Sequence, residues 1–107
     1  MTDPIVPIEK VRDYLLNLDH PDGAPKAKFF IAGNFSPDRP EELMAALKRH
    51  FIENPPMTKT PDRFGGVRIT IDAPMNVPDG RTPDVRSVWS IDEGETVPRL
   101  ISAYPIG

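Results

Sequence analysis

Cysteine is absent from this sequence, which excludes disulfide bonds, a thiol nucleophile and thiolate metal sites. Long apolar runs are missing as well. None approaches the roughly 18–20 residues that a membrane span requires. The opening segment, MTDPIVPIEK, has no basic patch leading into an apolar stretch, so it does not read as a signal peptide. The two histidines, His20 and His50, are far apart, with no HxH or HxxxH spacing and no acidic cluster beside either. No metal-ligand set is expected from them. A P-loop, a GxGxxG turn and a GxSxG elbow are all lacking, and no cofactor is expected. Blocks of one charge are lacking too. Thirteen basic residues against sixteen acidic ones give a net charge of −3 and a pI near 5.3. That weighs against binding nucleic acid through a broad basic face. It leaves room for a local cationic pocket, because scattered bases can still meet in space.

Proline, by contrast, is plentiful, with 14 in 107 residues. The prolines fall between patterned segments and read as punctuation rather than as a mark of disorder. A chain of this length is one domain, spanning 1–107, with one core. Residues 1–6 read as a flexible arm. Helical spacing begins in PIEKVRDYLLN, where Ile8, Val11, Leu15 and Leu16 form one apolar stripe and Pro7 suits the first turn. LDHPDGAP interrupts it. KAKFFIAGNF reads as a second helix with Gly33-Asn34 as its stop. Ser36 or Asp38 is expected to cap a third, PEELMAALKRHFIEN, whose stripe is Leu43, Ala46, Leu47 and Phe51, and which Asn54-Pro55-Pro56 ends. The expected helix spans are 7–17, 24–33 and 40–53.

Beyond Pro56 the period changes from helical to alternating. GVRITID places Val67, Ile69 and Ile71 on one face and Arg68, Thr70 and Asp72 on the other. DVRSVWSID and PRLISAYP continue the pattern, separated by the turn signals PDGRT and EGET. Strands are expected near 66–73, 84–92 and 98–104, with a shorter one around MTKTPDRF. The fold class is therefore α+β: three N-terminal helices followed by an antiparallel three- to four-stranded β-meander, with helices on one face of the sheet. Trp89 reads as core. Phe29, Phe30 and Phe35 read as helix-packing residues, and Arg68, Arg86 and Arg99 as solvated strand positions.

Few residues remain that could carry chemistry. His50 reads as a surface or edge histidine of the third helix. His20 lies in a loop beside Asp19. One reading makes it a turn residue or helix cap. The other makes it a histidine held in one tautomer by its surroundings and able to move a proton. Ser102 and Tyr104 stand two apart on the last strand and so point to one face. Taken together, His20, Lys26 or Lys28, Arg86, Ser102 and Tyr104 make a metal-independent set suited to cleaving RNA by attack of its own 2′-hydroxyl. In such a site histidine moves the proton, a cation meets the charge on the phosphorane, and hydroxyls position the phosphate.

The stretches YLLNLDHPDGAPKAKFF, PDGRTPDVRSVW and RLISAYP resemble a family of small bacterial domains with the pattern YLLN-x-x-HP-x-G, KA-x-FF, a strand ending in VW and a closing TAYP. Members occur free-standing and at the C-termini of polymorphic toxins and adhesin-like proteins. The layout is similar to that of the superfamily containing barnase, EndoU, the tRNA-cutting colicins and RelE. The resemblance implies a toxin or toxin-derived ribonuclease acting on RNA, tRNA among the candidate substrates. It assigns catalytic roles to His20, Lys26, Ser102 (a threonine in the pattern) and Tyr104, and leaves Lys28 and Arg86 as substrate-binding residues. It also implies a cognate immunity or antitoxin protein as partner. The absence of a signal-peptide pattern and of cysteine makes a cytoplasmic location the default expectation, that of a target cell if the domain is delivered. No membrane partner is expected. The competing reading is a non-catalytic protein-binding module, an accessory or neutralising protein of a toxin locus, which the net negative charge favours.

Overall fold

Helices precede strands along the chain, as the change of period at residue 56 predicts. The structure, a computed structural model, describes residues 4–54, 58–61 and 65–106. Helix α1 (Ile8–Lys10) runs into a π-helical turn (Val11–Leu15), and α2 (Ala24–Ala32) and α3 (Pro40–Glu53) come next. Strands β1 (Thr58–Pro61), β2 (Val67–Pro74), β3 (Asp84–Ile91) and β4 (Arg99–Pro105) form one antiparallel sheet in the order β1-β2-β3-β4. The expected meander is thus four strands wide. The short strand expected around MTKTPDRF is β1, all four of its residues exposed. No helix among the described residues is long and apolar enough to cross a membrane.

Alternation sorts the sheet into two faces. Ile69, Ile71, Ala73, Val85, Trp89, Leu100 and Ala103 are buried against the helices. Arg68, Thr70, Asp72, Arg86, Val88, Ser90, Ser102 and Tyr104 take the other face, which no helix layer covers in full. Val11, Leu15, Phe30, Leu43 and Leu47 close the core from the helical side. α3 packs on β2 and β3, and α2 on β4. Trp89 is 0 % exposed, with the Phe51 ring edge-on at 5.0 Å.

One residue is extra in β4. Val88 pairs with Ser102 but Trp89 pairs with Leu100, so Ile101 forms a bulge. In a regular strand, Leu100, Ser102 and Tyr104 would share a face. The bulge sends Leu100 into the core and leaves Ser102 and Tyr104 together on the open side.

Two local expectations change, those for the N-terminal arm and for the cap of α3. The N-terminal segment is tied down from residue 4 onward: Pro4 and Val6 are buried, and Ile5 bridges β4 at Arg99, donating from its N–H to Pro98 and accepting from Leu100. Helix α2 stops at the expected Gly33-Asn34, with Asn34 taking φ 81°. Gly33 is small for a packing reason, since a Cβ there would lie 3.1 Å from that of Val77. Neither Ser36 nor Asp38 caps α3. Arg39 holds that position, and Ser36 Oγ accepts the Asp38 N–H just before it. The expected Pro55-Pro56 stop lies outside the described residues; within them, Asn54 closes α3 by donating from Nδ2 to the His50 carbonyl.

The largest change concerns His50, which is buried rather than at the surface. Its Nε2 lies 3.0 Å from the Ala73 carbonyl, which can only accept, so Nε2 carries the proton. Nδ1 then accepts from the Ser87 hydroxyl at 2.8 Å, and Ser87 Oγ accepts the Trp89 indole N–H, also at 2.8 Å. Every polar group in this buried chain is paired. Ser87→Ala should strand two of them, the Trp89 N–H and His50 Nδ1, and cost about 2–5 kcal/mol. Urea unfolding checks this, and an unchanged midpoint would show that the network adds nothing.

Candidate functional site

The loop HPDG is built around a close approach. At Gly23 a Cβ would lie 2.3 Å from the Tyr14 carbonyl oxygen, so only glycine lets this loop lie against the π turn. His20 closes the loop. Its Nδ1 accepts the N–H groups of Asp22 at 3.1 Å and Gly23 at 3.0 Å, just ahead of α2. The proton of the imidazole accordingly sits on Nε2. The two readings of His20 therefore describe two halves of one ring. Nδ1 serves the turn, and only the Nε2–H donor remains for a ligand.

Packing the loop on the π turn brings the His20 ring to 4.8 Å from that of Tyr14. The π turn is marked by Leu16 N–H donating to the Val11 carbonyl, and such turns recur at functional sites. Lys26, in the first turn of α2, points back toward the same tyrosine. Its Nζ donates to Tyr14 Oη at 2.9 Å and to the Asp22 carbonyl at 3.3 Å. The same ammonium lies 6.0 Å from the Tyr104 ring centroid. Tyr104 faces Arg86 across the β3–β4 ladder. Arg86 in turn grips Asp72 with two parallel bonds of 2.6 and 2.7 Å. Asp72 first and the Tyr104 oxygen second hold the Arg86 guanidinium more firmly protonated than usual.

The contacts therefore run His20–Tyr14–Lys26–Tyr104, with Arg86 and Asp72 continuing across the sheet. Four of the six expected residues belong to this chain. Ser102 is linked to it by register rather than contact: it stands two residues before Tyr104 on the same face, opposite Val88. Its Oγ is buried without a hydrogen-bond partner. Lys28 is not brought in. It is exposed, and two residues after Lys26 is roughly 200° around a helix of 3.6 residues per turn. A groove of about 380 Å³ between α3 and the β2–β3 connection, lined by Phe35, Ala46, Arg49, His50, Met75 and Val77 among others, touches none of the six. The one imidazole it reaches, that of His50, is already fully hydrogen-bonded. No group of three or more His, Asp or Glu among the described residues could hold a metal ion.

A model of the family described as a domain of unknown function, DUF6883, matches residues 2–107. The chain belongs to this family. No curated protein and no solved structure matches it. For this DUF6883 chain, Tyr14 is the site residue that pattern reading passed over. It lies within the YLLN stretch, but its position depends on the π turn, which leaves no periodic trace. Asp72 was legible as a strand residue on the face of Arg68, but its pairing with Arg86 needed the β2–β3 register.

The Asp72–Arg86 pair makes a pH prediction. Arg86 holds the Asp72 carboxyl below the ordinary carboxylate range. A carboxylate lowered on folding adds stability above its unfolded value, about 3.9, and that stability is lost as pH falls through the folded value. Wild type should therefore lose more stability than Asp72→Asn between about pH 6 and about pH 3. Parallel urea melts at the two pH values measure this, and equal losses would show the pair to be thermodynamically silent.

Proposed function

We propose that this domain is a metal-independent ribonuclease of toxin or toxin-derived kind, acting in a cytoplasm and controlled by a cognate immunity or antitoxin protein. The observation that carries the reading is Lys26 Nζ, held by the Tyr14 hydroxyl and lying beside Tyr104, with His20 and Arg86 at either end of the contact chain. In the reaction the 2′-oxygen bonds to phosphorus as the bond to the 5′-oxygen breaks. The 2′-proton passes to solvent water, and the departing 5′-oxygen takes its proton from water. Negative charge builds on the non-bridging oxygens, where Lys26 and Arg86 would meet it. The Tyr104 and Ser102 hydroxyls would hold the phosphate. The buried Ser102 Oγ lacks a partner, and a phosphate oxygen is the kind of acceptor that would satisfy it.

His20 takes a narrower part than a general acid–base histidine. With Nδ1 spent on two amides and Nε2 already protonated, it can donate a hydrogen bond to a phosphate but has no free lone pair to take the 2′-proton. Charge stabilisation by the cations thus outweighs proton transfer by imidazole. The second reading, a protein-binding module, draws on the saturation of Arg86 by Asp72 and on the net charge of −3.

Incubation of purified protein with RNA separates the two. The expected products are 2′,3′-cyclic phosphate and 5′-hydroxyl ends, formed equally well with EDTA present. Lys26→Met should slow cleavage about 10²–10³-fold. Tyr104→Phe, and His20→Asn, whose amide oxygen can still accept the loop N–H groups, should each cost less. Intact RNA, loss of cleavage in EDTA, or an unimpaired Lys26→Met protein would overturn the ribonuclease reading in favour of the module.

A further inference from the structure

Two ammonium groups approach the Tyr14 ring, Lys26 Nζ at 5.1 Å from its centroid and Lys10 Nζ at 5.4 Å. Both lysines are half-buried. Arg12, Arg39, Arg49, Arg81 and Arg86 each have a carboxylate within ion-pair distance, yet among the described residues neither lysine does. The nearby Asp13 is taken by Arg12. Lys26 spends donors on Tyr14 and Asp22, but among the described residues the ring is the one partner of Lys10. The Nε2–H of His20 belongs to the same group, its ring lying against Tyr14. Like charges drawn to one ring repel each other. Lys26 meets the hydroxyl edge of Tyr14 and Lys10 its ring, and an anion bound near both would offset their repulsion.

We infer that Lys10, with the Tyr14 ring and the His20 Nε2–H, forms a second phosphate subsite beside the one assigned to Lys26, Arg86 and Tyr104. Lys26 lies between the two, against Tyr14 on one side and near Tyr104 on the other. The ligand is accordingly a nucleotide strand carrying two consecutive phosphates, one of them scissile; that identity rests on the ribonuclease reading. Lys10 is a positioning residue for the strand and leaves the reacting phosphate to its neighbours.

Calorimetric titration with uncleavable 2′-deoxy dinucleotides tests this. Three ligands are compared: the bare dinucleoside monophosphate, and the same compound with a further phosphate at its 5′ or its 3′ end. One phosphorylated form should bind about tenfold tighter than the bare compound. Lys10→Met should remove that gain while keeping the melting temperature, and Lys10→Arg should restore it. No measurable binding, no gain at either end, or a gain that survives in Lys10→Met would overturn the subsite. The ribonucleotide forms of the same compounds read cleavage separately. A Lys10-dependent gain without cleavage sinks the ribonuclease reading and leaves the subsite standing. Cleavage without such a gain does the reverse.

Discussion

The buried chain Trp89–Ser87–His50–Ala73 fixes where α3 sits, and through it the rest of the molecule. It joins the last turn of α3 to adjacent strands, Ser87 and Trp89 on β3 and Ala73 on β2. Apolar contacts alone would tolerate small slides of a helix over a sheet. Directional bonds between fully desolvated groups tolerate far less, because each broken bond leaves a polar atom with no water to turn to. The same strands show the consequence on their other side. With Ser87 locked inward, Arg86 must face outward. With Ala73 locked inward, Asp72 must do the same, directly opposite Arg86 in the ladder. The salt bridge on the open face and the hydrogen-bond chain in the core are set by one register.

The acidic protein nonetheless gathers several cations at one corner. The bases are scattered along the sequence, and their meeting depends on three separate devices. Glycine at position 23 lets the HPDG loop touch the π turn. The α2 helix delivers Lys26 to Tyr14. The β3–β4 ladder sets Tyr104 against Arg86. Tyr14 and Tyr104 lie beside these cations, Lys26 touching the hydroxyl of one and lying near the ring of the other.

Much of the fold was legible in the sequence because one period gives way cleanly to another. Ile69 and Ile71 against Arg68 and Thr70 announce a one-sided strand, and Leu43 and Leu47 announce a helix stripe. His50 was legible too, and its position was misread. It lies at i+7 from Leu43 and i+3 from Leu47, squarely on the buried stripe, but its neighbours Arg49 and Phe51 gave it the look of a helix edge. The features that escaped are those that add a residue to a regular element. A π turn at Val11–Leu15 and a bulge at Ile101 each shift the phase of the residues downstream, and a periodic pattern cannot register its own interruption. The candidate site was legible in part for the same reason. His20, Lys26, Arg86 and Tyr104 came from residue chemistry and from resemblance, whereas Tyr14 owes its position to the π turn. Lys28 was indistinguishable from Lys26 by type; the resemblance singled out Lys26, and helix geometry then takes Lys28 away from the contact chain.

The bulge in β4 has a bearing on how the molecule behaves among copies of itself. An outer strand with unpaired amides invites another strand to dock, which is a route to aggregation. Here an extra residue at Ile101 bends and twists the outer strand, and the parallel bridge from Ile5 occupies part of its free side. At the opposite margin, the described residues of β1, Thr58–Pro61, include a lysine and a proline, both of which discourage strand docking. Among the described residues, the β4 margin thus offers a second chain a bent and partly covered edge rather than a flat template.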